Sequence, residues 1–169
     1  MALLISRDDI ALYRQITDST HALKRINQHI NDAQFMDLQR LLGADFYNDL
    51  ERNITATNYV TLLDGGTYTY NNTTYTNVGL KVVLAHYAYS RYVLNGSQVD
   101  TAFGYVQKSN DNSVPVTLEA KKNMSKMNEQ VAFNYWENVK LFLDRNTTAY
   151  PLWKELCKPI STFKFSKIG

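Results

Sequence analysis

The chain has a single cysteine among its 169 residues, Cys157, so no internal disulfide can staple it. It also lacks a dominant charge. Its 18 basic and 16 acidic residues leave a formal net charge of +2, which excludes strong, nonspecific attraction to nucleic acid or anionic lipid. No segment reaches the roughly 20 apolar residues of a membrane-spanning helix. The first residues, Met1 to Arg7, have neither the basic start nor the apolar run of a secretion signal, so a cytosolic product is expected, with no membrane partner. Chemical motifs are missing too. There is no glycine loop of the P-loop or dinucleotide type, no H-E-x-x-H, no C-x-x-C and no G-x-S-x-G, so nucleotide, zinc and hydrolase readings have no anchor.

What is present is an ordinary globular composition, 44% hydrophobic and 20% charged, which argues against disorder or a fibrous repeat. A chain of this length can bury roughly 70% of its unfolded surface around one core. The unusual residue is tyrosine. Twelve Tyr against two Trp supply rings that can be dry on one side and wet at the hydroxyl, a combination suited to interfaces.

Hydrophobic spacing predicts a mainly α fold, a helical bundle with a short β-hairpin insertion and an extended C-terminal tail. Ser6 followed by Asp9 reads as a capped helix start running to about Ile16. Asp18-Ser19-Thr20 offers the next cap, and Leu23, Ile26, Ile30, Ala33, Leu38 and Leu42 continue a helix that Gly43 ends. A shorter helix follows from Ala44 to about Arg52. Thr67 to Tyr70 and Thr73 to Thr76 are β-prone runs joined by Asn71-Asn72, a pair that tolerates the positive φ of a tight turn. Gly79 opens an apolar helix to Leu94 whose broad stripe suggests contact on several sides. Residues 97–117 form a long polar connection with 102–106 as an extended stretch. The last long helix, from Thr117 to about Arg145, carries Met124, Met127, Val131, Tyr135, Val139 and Phe142 as its core stripe, with Lys121, Lys122 and Lys126 outside it. Tyr150-Pro151-Leu152-Trp153 reads as an aromatic-proline corner. The domain is thus 1–156, with the hairpin at about 67–76, and 157–169 is the tail.

Side chains with chemical potential have plain explanations. His21 and His29 lie about two turns apart, too far to share a metal, and read as solvated helix histidines. His86, inside the apolar helix, reads as a core or intersubunit hydrogen-bonder. Asp8 with Asp9 looks like helix-start charge, and Asp45 with Asp49 like one exposed face. Cys157, between Lys154 and Lys158, has no local partner motif and reads as an idle thiol. No catalytic residue, metal ligand or cofactor is expected.

Tyr68 and Tyr70 share one face of the hairpin, and Tyr75 can stack across from it. A two-stranded ribbon is marginal by itself, so it lies either on its own core or on a neighbour. The tail from Pro159 to Gly169, which alternates apolar and polar residues, is either a disordered end or a tether. Tyr68, Tyr70, Tyr75, Phe103, Tyr105, Trp153, Phe163 and Phe165 are the aromatic residues expected at a partner surface.

Four stretches carry a resemblance. Leu63-Asp64-Gly65-Gly66-Thr67-Tyr68, Gly79-Leu80-Lys81 with Ala85-His86-Tyr87-Ala88-Tyr89-Ser90-Arg91-Tyr92, Thr101 to Lys108, and Tyr150-Pro151-Leu152-Trp153 together resemble head-tail connector, or adaptor, proteins of tailed phages of the crAss-like Bacteroides type. That resemblance spans about residues 4–156. It implies a helical subunit without enzymatic activity, made in the host cytoplasm and placed at the virion neck. There it would form a homo-oligomeric ring below the portal, touching the portal protein and the next neck or tail protein. DNA would pass through the lumen without sequence-specific binding. A charge-biased lumen, common in such rings, is not evident here. Two other classes are kept open. A small helical DNA-binding regulator needs a polar recognition helix, and a small phage lysis or modification enzyme needs convergent acids or an activated nucleophile.

Overall fold

The computed structural model of the chain describes residues 3–17, 20–95, 98–101, 104–107 and 116–156. Phe103, Cys157, Phe163, Phe165 and the tail lie outside these residues, and only the backbone of Tyr105 is described. Within them the chain is a helical bundle with a short antiparallel hairpin, as the hydrophobic spacing predicts.

The first helix, α1 (Arg7–Ala11), begins at a capping box: the Asp9 amide donates to the Ser6 hydroxyl and the Asp9 carboxylate accepts from the Ser6 amide. It ends earlier than its apolar spacing suggests. Helix α2 (Thr20–Ala33) continues through a π-helical turn, Gln34–Leu38, into α3 (Gln39–Leu42), and Gly43 stops it at φ 79°. The wider turn has two uses. Buried Gln34 accepts from the Leu4 amide at 2.7 Å and donates to the Tyr47 hydroxyl at 3.3 Å, tying the N-terminus to α4 (Ala44–Arg52). Asp37 meets Arg91 with two bonds of 2.9 Å, a fork-to-fork pair that fixes the turn to the central helix.

After α5 (Thr57–Asp64) come β1 (Gly66–Tyr70) and β2 (Thr73–Asn77), then the central helix α6 (Leu80–Asn95). Leu80, Val82, Val83, Leu84, Ala85 and Ala88 are all buried, because α6 is covered by α1, α2, α5 and α7 (Leu118–Arg145). A second antiparallel pair, β3 (Gln98–Thr101) with β4 (Gly104–Gln107), occupies part of the long connection.

No helix runs into Pro151, as the aromatic-proline corner implies; Pro151 instead starts α8 (Pro151–Leu156), since the first helical position needs no N–H partner and suits the fixed φ of proline. One expectation is corrected. The stripe of α7 holds only in its second half. Val139, Phe142 and Leu143 are buried, whereas Met124 and Met127 are exposed and Lys121, Ser125 and Asn128 are turned inward. The reason is the partner: this half of α7 faces His86 and Ser90 of α6, and polar groups are needed opposite polar groups.

Candidate interaction surface

The hairpin is made by local chemistry. Asn71 and Asn72 adopt φ of 49° and 62°, the left-handed pair of a two-residue turn whose twist matches the strands. Register follows: Tyr68 lies opposite Tyr75 and Tyr70 opposite Thr73. At the base, Gly65 (φ 81°) and Gly79 (φ 83°) let the end of α5 pass the start of α6. A Cβ on Gly79 would sit 2.5 Å from the Leu63 carbonyl oxygen and 2.6 Å from the Gly65 nitrogen, so neither position accepts a side chain without moving backbone. Buried Asn77 locks this crossing, donating to the Thr61 carbonyl at 3.2 Å and accepting from the Gly79 amide at 3.1 Å. Asn138 of α7 does the same one step outward, accepting from the Val78 amide and donating to the Thr76 carbonyl, each at 3.0 Å.

The aromatic face lies on α7. Tyr68 stacks on Tyr75 at 5.6 Å between ring centroids and meets Phe142 edge-on at 5.0 Å. Arg145 closes the arrangement. Its guanidinium donates to the Tyr68 hydroxyl at 3.1 Å and lies 4.0 Å from the Tyr75 ring centre and 4.8 Å from that of Tyr70. The ribbon is therefore held by its own subunit at Tyr68, Tyr75 and, through Arg145, Tyr70, which keeps part of its ring exposed, while the threonines at 67, 69, 73, 74 and 76 lie open.

Trp153 belongs elsewhere. It is 5% exposed, edge-on to Trp136 at 5.9 Å, and its indole N–H donates to Asp144 at 2.8 Å, so it serves the core of its own chain and not a partner. Nearby, Phe46, Tyr59 and Tyr150 complete an aromatic cluster. Burial pushes the Tyr150 phenol up to about 12, and its hydroxyl donates to the Asn58 carbonyl at 2.7 Å. Burial likewise raises the Tyr59 phenol, whose hydroxyl donates to the Asp49 carboxylate; Asp49 thus has a structural bond on a face expected to be solvated.

A second polar cluster joins α6 to α7. The His86 ring is buried, stacks on Tyr135 at 5.5 Å and has Nδ1 at 3.3 Å from Asn128 Oδ1, which also accepts from Arg14 Nε at 2.7 Å. Burial lowers the imidazole pKa, against the Asn128 bond, with Arg14 adding to the lowering. One turn on, Ser90 meets Ser125 at 2.8 Å and donates to Glu129 at 3.1 Å. The imidazole thus engages an amide and the hydroxyls engage each other, a geometry that binds two helices together. His29 is half-buried against Tyr92, not solvated as its position suggests, and burial lowers its pKa too. No group of metal-ligating side chains occurs among the described residues, and no helix there is long and apolar enough to cross a membrane.

Arg145, Asn138, Asn77 and Phe142, which position the ribbon, were not among the expected surface residues. Only Asn77 and Gly79, flanking a turn between strand and helix, carry any local sign of their role.

Residues 38–162, which include the hairpin, α6 and α7, match a family described as one of unknown function, DUF6712. The chain belongs to that family. No curated protein and no solved structure matches it.

Proposed function

We propose that this DUF6712 protein is a structural subunit of a tailed-phage virion, a head-tail connector that forms a ring below the portal. The observation that carries the reading is the ribbon. It is braced on its own subunit by Arg145, Asn138 and Asn77, yet five threonines lie in solvent and Tyr70 is left partly exposed. A rigid, exposed ribbon of uncharged residues supplies contact area at little ordering cost, which is what a subunit closing a ring of many modest contacts requires. Further apolar side chains lie outside the core, with Leu12 76% and Met127 68% exposed, consistent with additional surface to be covered on assembly. The helical subunit that the resemblance to crAss-like phage connectors implies fits the mainly helical chain.

Immunogold electron microscopy of particles from the source, with an antibody against this chain, tests the proposal. Label confined to the neck between head and tail is expected. Reproducible absence from intact particles and from disrupted ones would overturn it.

A further inference from the structure

The two long edges of the ribbon are not equivalent. With a two-residue turn at 71–72, the Tyr70–Thr73 and Tyr68–Tyr75 pairs exchange hydrogen bonds across the hairpin, so the main chains of Thr67 and Thr69 on β1, and of Thr74 and Thr76 on β2, point outward. The β2 edge is engaged, because Asn138 donates to the Thr76 carbonyl. Among the described residues nothing meets the main chain of Thr67 or Thr69. Both residues are exposed, and this edge has no proline, no lysine and no bulge to block a further strand.

Between those two residues, Tyr68 of β1 lines a recess of about 420 Å³, in the usual size range for binding pockets. Its walls include the rings of Tyr68, Phe142 and Tyr150, with Thr61 and Asn146 at its polar side, and none of the lining residues belongs to β2. An added strand would therefore find unpaired main-chain groups and an aromatic hole on the same face.

We infer that β1 accepts the C-terminal segment of a neighbouring copy as a third, antiparallel strand, with Phe165 seated in the recess beside Tyr68. This deepens the assembly reading and rests on it. The chain continues for 13 residues beyond α8, and its segment Thr162-Phe163-Lys164-Phe165-Ser166 places two aromatic residues two positions apart, the spacing of Tyr68 and Tyr70. In antiparallel register Phe165 comes opposite Tyr68 and Phe163 opposite Tyr70, two close cross-strand aromatic pairs. Lys164 then falls opposite Thr69, where the strands exchange main-chain bonds and its ammonium stays in water. The stretch from Leu156 to Thr162, when extended, spans on the order of 20 Å, which sets how far the boundary with an adjacent subunit can lie from α8. Main-chain pairing gives affinity here, and the Phe165 recess gives register.

Disulfide capture tests this with the full-length chain. The acceptor carries Cys157→Ser, Phe163→Ser and Phe165→Ser, which silence its own tail, together with Tyr70→Cys. The probe is a peptide of residues 159–169 with cysteine in place of Phe163. Under a mild redox buffer the Tyr70→Cys acceptor is expected to form adduct at about tenfold or more the yield of a Thr73→Cys acceptor, since a seated peptide holds its thiol at a high effective concentration. Adding Thr69→Pro, which removes one outward N–H and no bond to β2, abolishes the excess, whereas Thr69→Val keeps it. Thr67→Pro provides the same test if Thr69→Pro proves unfolded by circular dichroism. Equal capture at both positions, or capture indifferent to proline, overturns the inference, and so would occupation of the edge by a different protein, which leaves the peptide uncaptured. In the full chain with Cys157→Ser, Tyr70→Cys and Phe163→Cys, oxidation is expected to give a ladder of covalent multimers; closure within single chains only would equally overturn it. These outcomes are independent of neck labelling: capture without label removes the virion reading alone, and label without capture removes only the strand exchange.

Discussion

At the scale of single residues, two features control the molecule: glycines that admit a backbone crossing and histidines kept neutral by burial. Gly79→Ala puts a methyl group against the Leu63 carbonyl in a left-handed backbone conformation, and a loss of about 2 kcal/mol or more in urea unfolding is expected. Gly66→Ala, where a Cβ meets nothing within 4 Å, retains only the backbone penalty and is the milder change. The histidines predict a pH response. His86 and His29 both have lowered folded pKa values, so below the ordinary value of 6.5 the unfolded chain binds more protons than the folded one. Stability present above that pH is lost as pH falls through the folded values. The thermal midpoint should drop between pH 7 and pH 5, above the range where ordinary carboxylates titrate, and the double variant His86→Gln, His29→Gln should flatten the curve. A midpoint unchanged over this window in the parent protein would contradict the buried, neutral assignment.

Elements show how far local chemistry reaches. The capped start at Ser6, the stop at Gly43 and the Asn71-Asn72 turn were legible because each depends on a few adjacent residues. On that basis Asn72→Gly is expected to leave the hairpin as stable or firmer, and Asn72→Val to cost about 1 kcal/mol, since a branched side chain resists positive φ. The π-helical turn at Gln34–Leu38 had no such signature; it follows from Gln34 and Asp37 reaching partners 30 or more residues away. Helix α7 is the sharper lesson. Periodicity counts apolar residues without knowing what lies opposite, so it put Met124 and Met127 inside, where the structure has Ser125 and Asn128 facing Ser90 and His86. Accordingly Met127→Ser should change stability by no more than about 0.5 kcal/mol, whereas Asn128→Ala should cost about 1–3 kcal/mol by stripping Arg14 and His86 of a shared acceptor. Chemical denaturation of the two variants side by side checks the assignment.

On the whole-molecule scale, the bundle is tied together at several points: α6 is enclosed by its neighbours, the N-terminus is tied in through Gln34, and the ribbon is braced against α7. The tyrosines that marked the sequence act together: Tyr68 stacks on Tyr75, and Arg145 lies over the rings of Tyr75 and Tyr70, which leaves Tyr70 partly exposed at the rim of the clasp. That clasp was beyond the sequence, because its cation, Arg145, is 70 or more residues from the tyrosines it meets. What remains exposed is an open strand edge on β1, whose Tyr68 also lines an aromatic recess, the surface proposed above to take a strand from a neighbouring copy. A localised cryo-electron microscopy reconstruction of the neck tests this account most directly. It should show copies of this chain in a closed ring, with each β1 edge at a subunit boundary and a strand from the next copy laid along it. A neck without this chain, or a ring whose hairpins all face open solvent, would contradict it.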